Sequence, residues 1–145
     1  MSSLDAEVLA EKVAAIERHL ARVEAKTPPE PGVLLPMSDA SDAVILHLRQ
    51  AVQIAIDLVV ATAVRRAASA PATYAEAFRA LAGLGLLNAA LAERLARAAS
   101  FRDRIAHAYE GLDLQQVTEA ARTGPADLRA FLAALHASAA GNPGS

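Results

Sequence analysis

The stretch 89-AALAERLARAASFRDRIAHAYEG-111 decides the fold class, because its apolar residues recur at helical spacing. Alanine, which dominates it, has the highest helix propensity of the twenty residues. At about 100° per residue, one group of side chains falls within roughly 40° of a single line and forms one face: Leu91, Leu95, Ala98, Ile105 and Tyr109. The stretch therefore predicts an amphipathic α-helix with one buried side.

The rest of the chain has the same character. Of its 145 residues, 54% are hydrophobic, yet there are only three Phe, two Tyr and no Trp. The β-branched residues come singly or in pairs, not in the longer runs that strands favour. A chain of this length can hide roughly 70% of its unfolded surface. We expect one all-α domain over residues 1–145, a bundle of four main helices plus one or two short ones.

Prolines and caps predict where the first two helices lie. Apolar residues recur from Leu4 to Val23, and the helix they form should end at "TPPEPG". A proline-rich connection then covers residues 27–37. Ser and Asp side chains over Ser38–Ser41 can cap a second, long helix that runs to about Ala70.

Two capping signals mark the next helices. Thr73 and Glu76 have the spacing of a capping box, which opens a short third helix. Asn88 can cap the fourth helix, the one quoted above. Gly111 is suited to the position just past its C-terminus.

The C-terminal part predicts two more helices with a break between them. Asp113 and Gln116 form a capping pair for a short fifth helix. Gly124-Pro125 should separate it from a last helix, since proline removes a helical hydrogen bond. Residues 140–145 are expected to be a frayed tail.

Composition excludes several kinds of site and location. There is no cysteine, so disulfides, thiolate metal sites and cysteine nucleophiles are ruled out. The N-terminus does not resemble a signal peptide, and Asp57 interrupts the longest apolar run, so no membrane span and a cytoplasmic protein are expected. The histidines are widely scattered, which predicts no metal site, and nothing indicates a cofactor: His19, His47, His107 and His136.

The formal net charge of −2 is unevenly distributed. Residues 65–104 carry 7 basic and 3 acidic side chains, whereas residues 1–64 carry 5 and 9. The middle of the chain can therefore attract an anion. An ordinary solvated arginine-rich surface would give the same composition.

Two polar groups lie where a bundle should be apolar. Arg102 falls on the apolar line of the fourth helix, where an unpaired charge is costly. Asp103 and His107 are four residues apart on an adjoining face, so the Asp103 carboxylate can orient the His107 imidazole. On the second helix an arc of about 100° is polar: Arg49, Gln50, Gln53 and Asp57. We expect Asp57 or Gln53 to meet Arg102. Both a buried structural ion pair and a polar cleft fit this pattern.

The order of these motifs resembles a known family. Residues 102–109 read R-x4-H-x-Y, follow Phe101, and stand downstream of "LRQAVQIAIDLVV" and "TYAEAFRALAGLGLL". From about Val44 to Val117 the chain resembles the HepT-like branch of the HEPN superfamily. Its members are small all-α ribonuclease toxins paired with an MNT-type nucleotidyltransferase antitoxin.

The resemblance implies roles for individual residues. Arg102 and His107 would be the catalytic pair of a metal-independent endoribonuclease, and Asp103 would fill the polar position after the arginine. Asp57 and Gln53, which belong to the polar arc of the second helix and not to the family pattern, would support this pair if the arc lines a cleft. Asp103 stands where the family often has Asn. Tyr109 would be adenylylated by the antitoxin. The family is homodimeric, and both subunits line one cleft, so the expected partners are RNA (tRNA or mRNA), the antitoxin and a second copy, with no DNA or membrane.

Helical geometry adds one constraint to these roles. On a straight helix Arg102 and His107 point about 140° apart, so either the helix distorts or a two-fold partner supplies the complementary copy. Arg104 and Arg97 could hold flanking phosphates or could be solvated charges. Two rival interpretations remain: a non-enzymatic helical subunit of a nucleotidyltransferase, and a purely structural dimer.

Overall fold

The computed structural model describes residues 3–67, 71–107 and 111–141, and within them the chain is all-α, as predicted. The five helices of this described part are, in chain order, α1 (Ser3–Lys26), α2 (Asp39–Ala67), α3 (Tyr74–Gly83), α4 (Ala89–His107) and α5 (Leu114–Gly141). The four long helices form the bundle, and α3 is the short one.

The predicted caps of α3 and α4 are confirmed. The Thr73 hydroxyl oxygen accepts a hydrogen bond from the Glu76 backbone N–H at 3.1 Å. The Glu76 carboxylate in turn accepts one from the Ala72 backbone N–H at 3.1 Å. Asn88 Oδ1 accepts from the Leu91 backbone N–H at 2.7 Å. These bonds satisfy donors that the first helical turn leaves free.

The predicted break at Gly124-Pro125 is wrong, because α5 runs through both residues. Proline in a helix interior costs about 3 kcal/mol. Buried positions nevertheless recur every three or four residues on both sides of it, and Pro125 is itself buried: 117, 121, 125, 128, 132 and 135. Each large apolar side chain on this continuous face stabilises the helix by about 1.5–3 kcal/mol, which outweighs the lost hydrogen bond.

The largest core cluster joins α1 to α5 through α2, α3 and α4. Phe78 of α3 and Phe131 of α5 are at most 1% exposed and pack edge to face, with ring centroids 5.5 Å apart. A second cluster surrounds Leu48, Ile105 and Val117, where α2, α4 and α5 meet.

The proline-rich connection is held against α5. Arg122 donates from Nη2 to the Pro28 carbonyl at 2.9 Å and also to the Gly32 carbonyl. The backbone N–H of Leu34, a residue only 3% exposed, donates to Thr118 Oγ1 at 3.0 Å. Side chains of α5 thus fix the path of residues 27–37.

A charged cluster ties α1 to α5. The Arg129 guanidinium lies 3.2 Å from Glu17 Oε1 and 2.8 Å from Glu24 Oε2. The hydrogen bond from Arg129 lowers the pKa of the Glu24 carboxyl, and burial opposes this only partly.

The expectation that no segment could span a membrane was too strict. Residues Asp39–Arg66 of α2 are long and apolar enough to do so, judged by length and composition alone. Within the bundle, 44% of the most apolar part of this segment is buried. The core helix of a soluble bundle passes the same test, so this is weak support for a membrane span.

Candidate functional site

Arg102 lies on the buried side of α4, as its position on the apolar line predicts. Its side chain is 21% exposed, and its Nη1 lies 3.4 Å from Asp103 Oδ1. Its Nε is buried and has no hydrogen-bond partner among the described residues. A buried guanidinium N–H without an acceptor is costly unless an anion or water satisfies it. Arg102 therefore presents an unsatisfied cationic donor.

The predicted contact of Arg102 with Asp57 or Gln53 is wrong. Asp57 is exposed, and its Oδ1 accepts a hydrogen bond from Gln53 Nε2 at 3.0 Å. The two residues are four apart on α2, so they satisfy each other on one helix instead of reaching across to α4. Gln53 Oε1 is buried and has no partner in the described part of the chain.

The polar arc of α2 lies mostly at the surface. Arg49, Gln50 and Asp57 are exposed, and only Gln53 is half-buried. A solvated face explains three of these four residues without any site. A structural ion pair between α2 and α4 is therefore not what places Arg102 on the buried stripe.

His107 is the last residue of α4, and the helix is regular up to it. Its side chain and the whole of Tyr109 lie outside the described residues, so both remain sequence predictions. A regular helix places the directions of Arg102 and His107 about 140° apart. The α-helix is therefore not broken between Arg102 and His107.

A pocket of about 420 Å³ opens between α2, α4 and α5. Apolar side chains such as Leu48, Leu95 and Phe101 line it, and Arg97 and Arg104 also contribute to its wall. The guanidinium carbon of Arg104 lies 5.5 Å from the centroid of the Phe101 ring, a cation–π distance. The structure thus brings Arg97 and Arg104 to one pocket.

A third arginine at that pocket, Arg94, is already paired with a carboxylate. Arg94 Nε donates to Asp127 Oδ1 at 2.9 Å, which joins α4 to α5. Arg97 and Arg104 are exposed at the surface. Of the arginines lining the pocket, these two are the ones with no ion pair among the described residues.

The sequence prediction of scattered histidines missed one close pair. His19 on α1 and His47 on α2 are 28 residues apart in the chain, yet their Nδ1 atoms lie 3.0 Å apart. Because the two residues are so far apart in the chain, no local sequence pattern could have indicated the pair. No group of three or more histidine, cysteine, aspartate or glutamate side chains suited to a metal occurs in the described ranges.

Solved structures that match this fold include a HEPN toxin and other toxin–antitoxin complexes. A tri-AMPylated Shewanella oneidensis HEPN toxin in complex with MNT antitoxin matches with a TM-score of 0.80 at 22% identity, over 94% of this chain and 99% of that chain. A toxin–antitoxin complex with AMP-PNP also matches with a TM-score of 0.80, at 21% identity, over 90% and 98%. At these identities the matches show the fold.

The family follows from a separate comparison. The family described as Ribonuclease HepT-like matches residues 16–135, most of the chain, so the chain belongs to it. No curated protein matches the chain. The resemblance read from R-x4-H-x-Y is confirmed at the level of family and fold.

Proposed function

We propose that this protein is the toxin of a toxin–antitoxin pair and cleaves RNA without a metal ion, using Arg102 and His107. The observation that carries the proposal is the Arg102 guanidinium, which is mostly buried and has an unsatisfied Nε. Structural arginines at such positions are paired with carboxylates from other elements. Among the described residues, Arg102 instead bonds its neighbour Asp103 through Nη1, and its unpartnered Nε is a donor that a phosphate could satisfy.

The proposed reaction is a transesterification within the RNA. The 2′-hydroxyl oxygen attacks the adjacent phosphorus, the bond to the 5′-oxygen breaks, and a 2′,3′-cyclic phosphate and a 5′-hydroxyl result. His107 takes the proton from the 2′-hydroxyl or gives one to the leaving oxygen, since imidazole titrates near neutrality. Arg102 stabilises the charge that builds up on the phosphate oxygens.

A two-fold dimer supports this chemistry. Because α4 is regular, Arg102 and His107 of one chain diverge by about 140° and do not readily reach one phosphate. A self-complementary contact along α4 would bring Arg102 of one subunit towards His107 of the other. The homodimer is accordingly part of the proposal.

Arg97 and Arg104 are proposed to bind phosphates beside the scissile one. At about 100° per residue they lie within roughly 80° of His107 on α4 and at about 140–160° from Arg102. They therefore belong with the His107 side of the cleft. Their exposure and lack of ion pairs among the described residues leave both guanidinium groups available for phosphate.

Tyr109 is proposed as the site at which the antitoxin silences the toxin. An MNT-type nucleotidyltransferase would transfer AMP from ATP to the tyrosine oxygen, with the proton and pyrophosphate released. The product carries bulk and negative charge two residues from His107, where substrate phosphate would bind. The AMPylated state of the Shewanella toxin in its complex supports this part.

The decisive experiment is cleavage of tRNA and of mRNA by unmodified protein, checked by mass spectrometry, in EDTA. Wild type should cut and leave 2′,3′-cyclic phosphate ends, and His107→Ala should not. His136→Ala is the matched control, because His136 is an exposed histidine on α5. Equal cutting by His107→Ala, or no cutting by unmodified wild type, would contradict the proposal. In the second case a non-enzymatic nucleotidyltransferase subunit becomes the better assignment.

A further inference from the structure

His19 and His47 make the closest contact between α1 and α2 that involves two titratable side chains of the described residues. Their Nδ1 atoms are 3.0 Å apart, and their ring centroids are 5.2 Å apart at 36°. Both side chains are half-buried, so small solutes can reach them. One Nδ1 donates and the other accepts, so the accepting ring is neutral.

The environment of His19 disfavours its charged form. Burial lowers the pKa of His19, and the charges of His47 and Arg18 lower it further. The neutral imidazole is the form that binds metal ions. No carboxylate is hydrogen-bonded to either ring nitrogen described here, so a bound cation would not compete with an existing ion pair.

The nitrogen separation selects a coordination geometry. Two nitrogens 3.0 Å apart and each about 2.05 Å from one ion subtend an angle of roughly 94° at it. That angle suits neighbouring positions of a square-planar or tetragonal site, which Cu²⁺ and Ni²⁺ favour. A tetrahedral Zn²⁺ site would need the nitrogens to separate to about 3.3 Å.

We infer that His19 and His47 form a two-histidine site for a divalent late transition-metal ion, Cu²⁺ or Ni²⁺, which links α1 to α2. Both rings bind through Nδ1 and turn by roughly 43° from the present N···N line, while water fills the other positions. The ion takes the place of the hydrogen bond between the rings. This site lies on different helices from Arg102 and does not depend on the proposed ribonuclease activity.

The test uses full-length protein stripped of metal and then given NiCl₂ or CuCl₂ at pH 7.5. With Ni²⁺ at a hundredfold excess over Kd, wild-type Tm should rise by roughly 8 °C. His19→Gln and His47→Gln should each abolish most of the rise, whereas His136→Gln should keep it. Arg18→Gln should tighten binding several-fold, because it removes a cation that repels the ion.

Electron paramagnetic resonance of the Cu²⁺ form provides a readout that needs no variant to fold. The spectrum of wild type with one equivalent of Cu²⁺ should show a tetragonal site with hyperfine coupling to two nitrogens. A Tm rise that persists in the His19→Gln/His47→Gln double variant would overturn the inference, as would a spectrum without two coupled nitrogens. RNA cleavage in EDTA reports separately on the proposed function, so either proposal can fail alone.

Discussion

Replacing Arg102 with methionine separates a functional arginine from a structural one. Methionine keeps most of the apolar stem and removes the guanidinium, whose Nε is buried without a partner in the described structure. Relief of that unsatisfied donor should stabilise the fold by about 1–3 kcal/mol. Loss of the 3.4 Å ion pair with half-exposed Asp103 should cost about 0.2–1 kcal/mol. The free energy of unfolding should therefore stay the same or rise by up to about 3 kcal/mol.

Activity should change in the opposite direction. Removing one charged donor to the phosphate oxygens is expected to lower RNA cleavage by about 10²–10³-fold. The assays are urea unfolding followed by circular dichroism and cleavage of tRNA, both on the same preparation. Arg65→Met, at an exposed position on α2, is the matched control and should change neither.

One outcome would refute this reasoning about Arg102. If Arg102→Met lowers the free energy of unfolding by about 3 kcal/mol or more (the cost of breaking a buried pair), the arginine holds the fold together. A loss of activity would then follow from unfolding. The structural-dimer interpretation of the sequence would gain support from that result.

Three further predictions concern the stability of the bundle, each measured by chemical unfolding. Arg129→Met should destabilise the protein by about 1 kcal/mol at pH 7. Arg129 lowers the folded-state pKa of Glu24 below its usual 4.5, so the stabilisation by this ion pair is present above pH 4.5 and is lost as the pH falls through the folded pKa. The difference in stability between wild type and Arg129→Met should therefore shrink towards about pH 3, and a difference that stays constant would contradict the role of the Arg129–Glu24 pair. Gly124→Ala should stabilise α5 by at most about 0.5 kcal/mol, because the gain in helix propensity of about 0.5–1 kcal/mol is offset by crowding of the added Cβ against the ring of Pro125, while Leu48 Cδ1 would lie at an ordinary 3.6 Å; a stabilisation of about 1 kcal/mol or more would contradict this offset. Asn88→Ala should lower the free energy of unfolding by about 1 kcal/mol through loss of the α4 cap. Asn88→Asp should keep most of the wild-type stability, because aspartate can also cap a helix. Equal losses of stability in both variants would rule out capping as the cause.

The helix caps show which features of the fold can be predicted from the sequence. A cap depends on two residues three positions apart, so Thr73 with Glu76 and Asn88 could be read directly and are found as predicted. The helical repeat of alanine and leucine likewise predicted α4 and placed Arg102 on its buried side. These features are local, because each is decided within one or two turns of chain.

The misread break at Pro125 has a tertiary cause. Proline and glycine predict a helix end when only neighbouring residues are considered. In the bundle, Leu128 and Phe131 beyond the proline bury the same face as Val117 and Ala121 before it, and this shared burial keeps α5 whole. The spacing of these apolar residues could be seen in the sequence. Whether the stabilisation from their burial exceeds the free-energy cost of proline could not.

The features of the candidate sites also divide into those that the sequence predicts and those that only the structure shows. The sequence alone determined helices α1 to α4, the order of the motifs and the position of Arg102 among apolar residues. Only the tertiary structure decided that Asp57 bonds Gln53 instead of Arg102, and that His19 meets His47. Side-chain pairing between helices depends on their crossing and axial offset, which residues distant in the chain set together through packing.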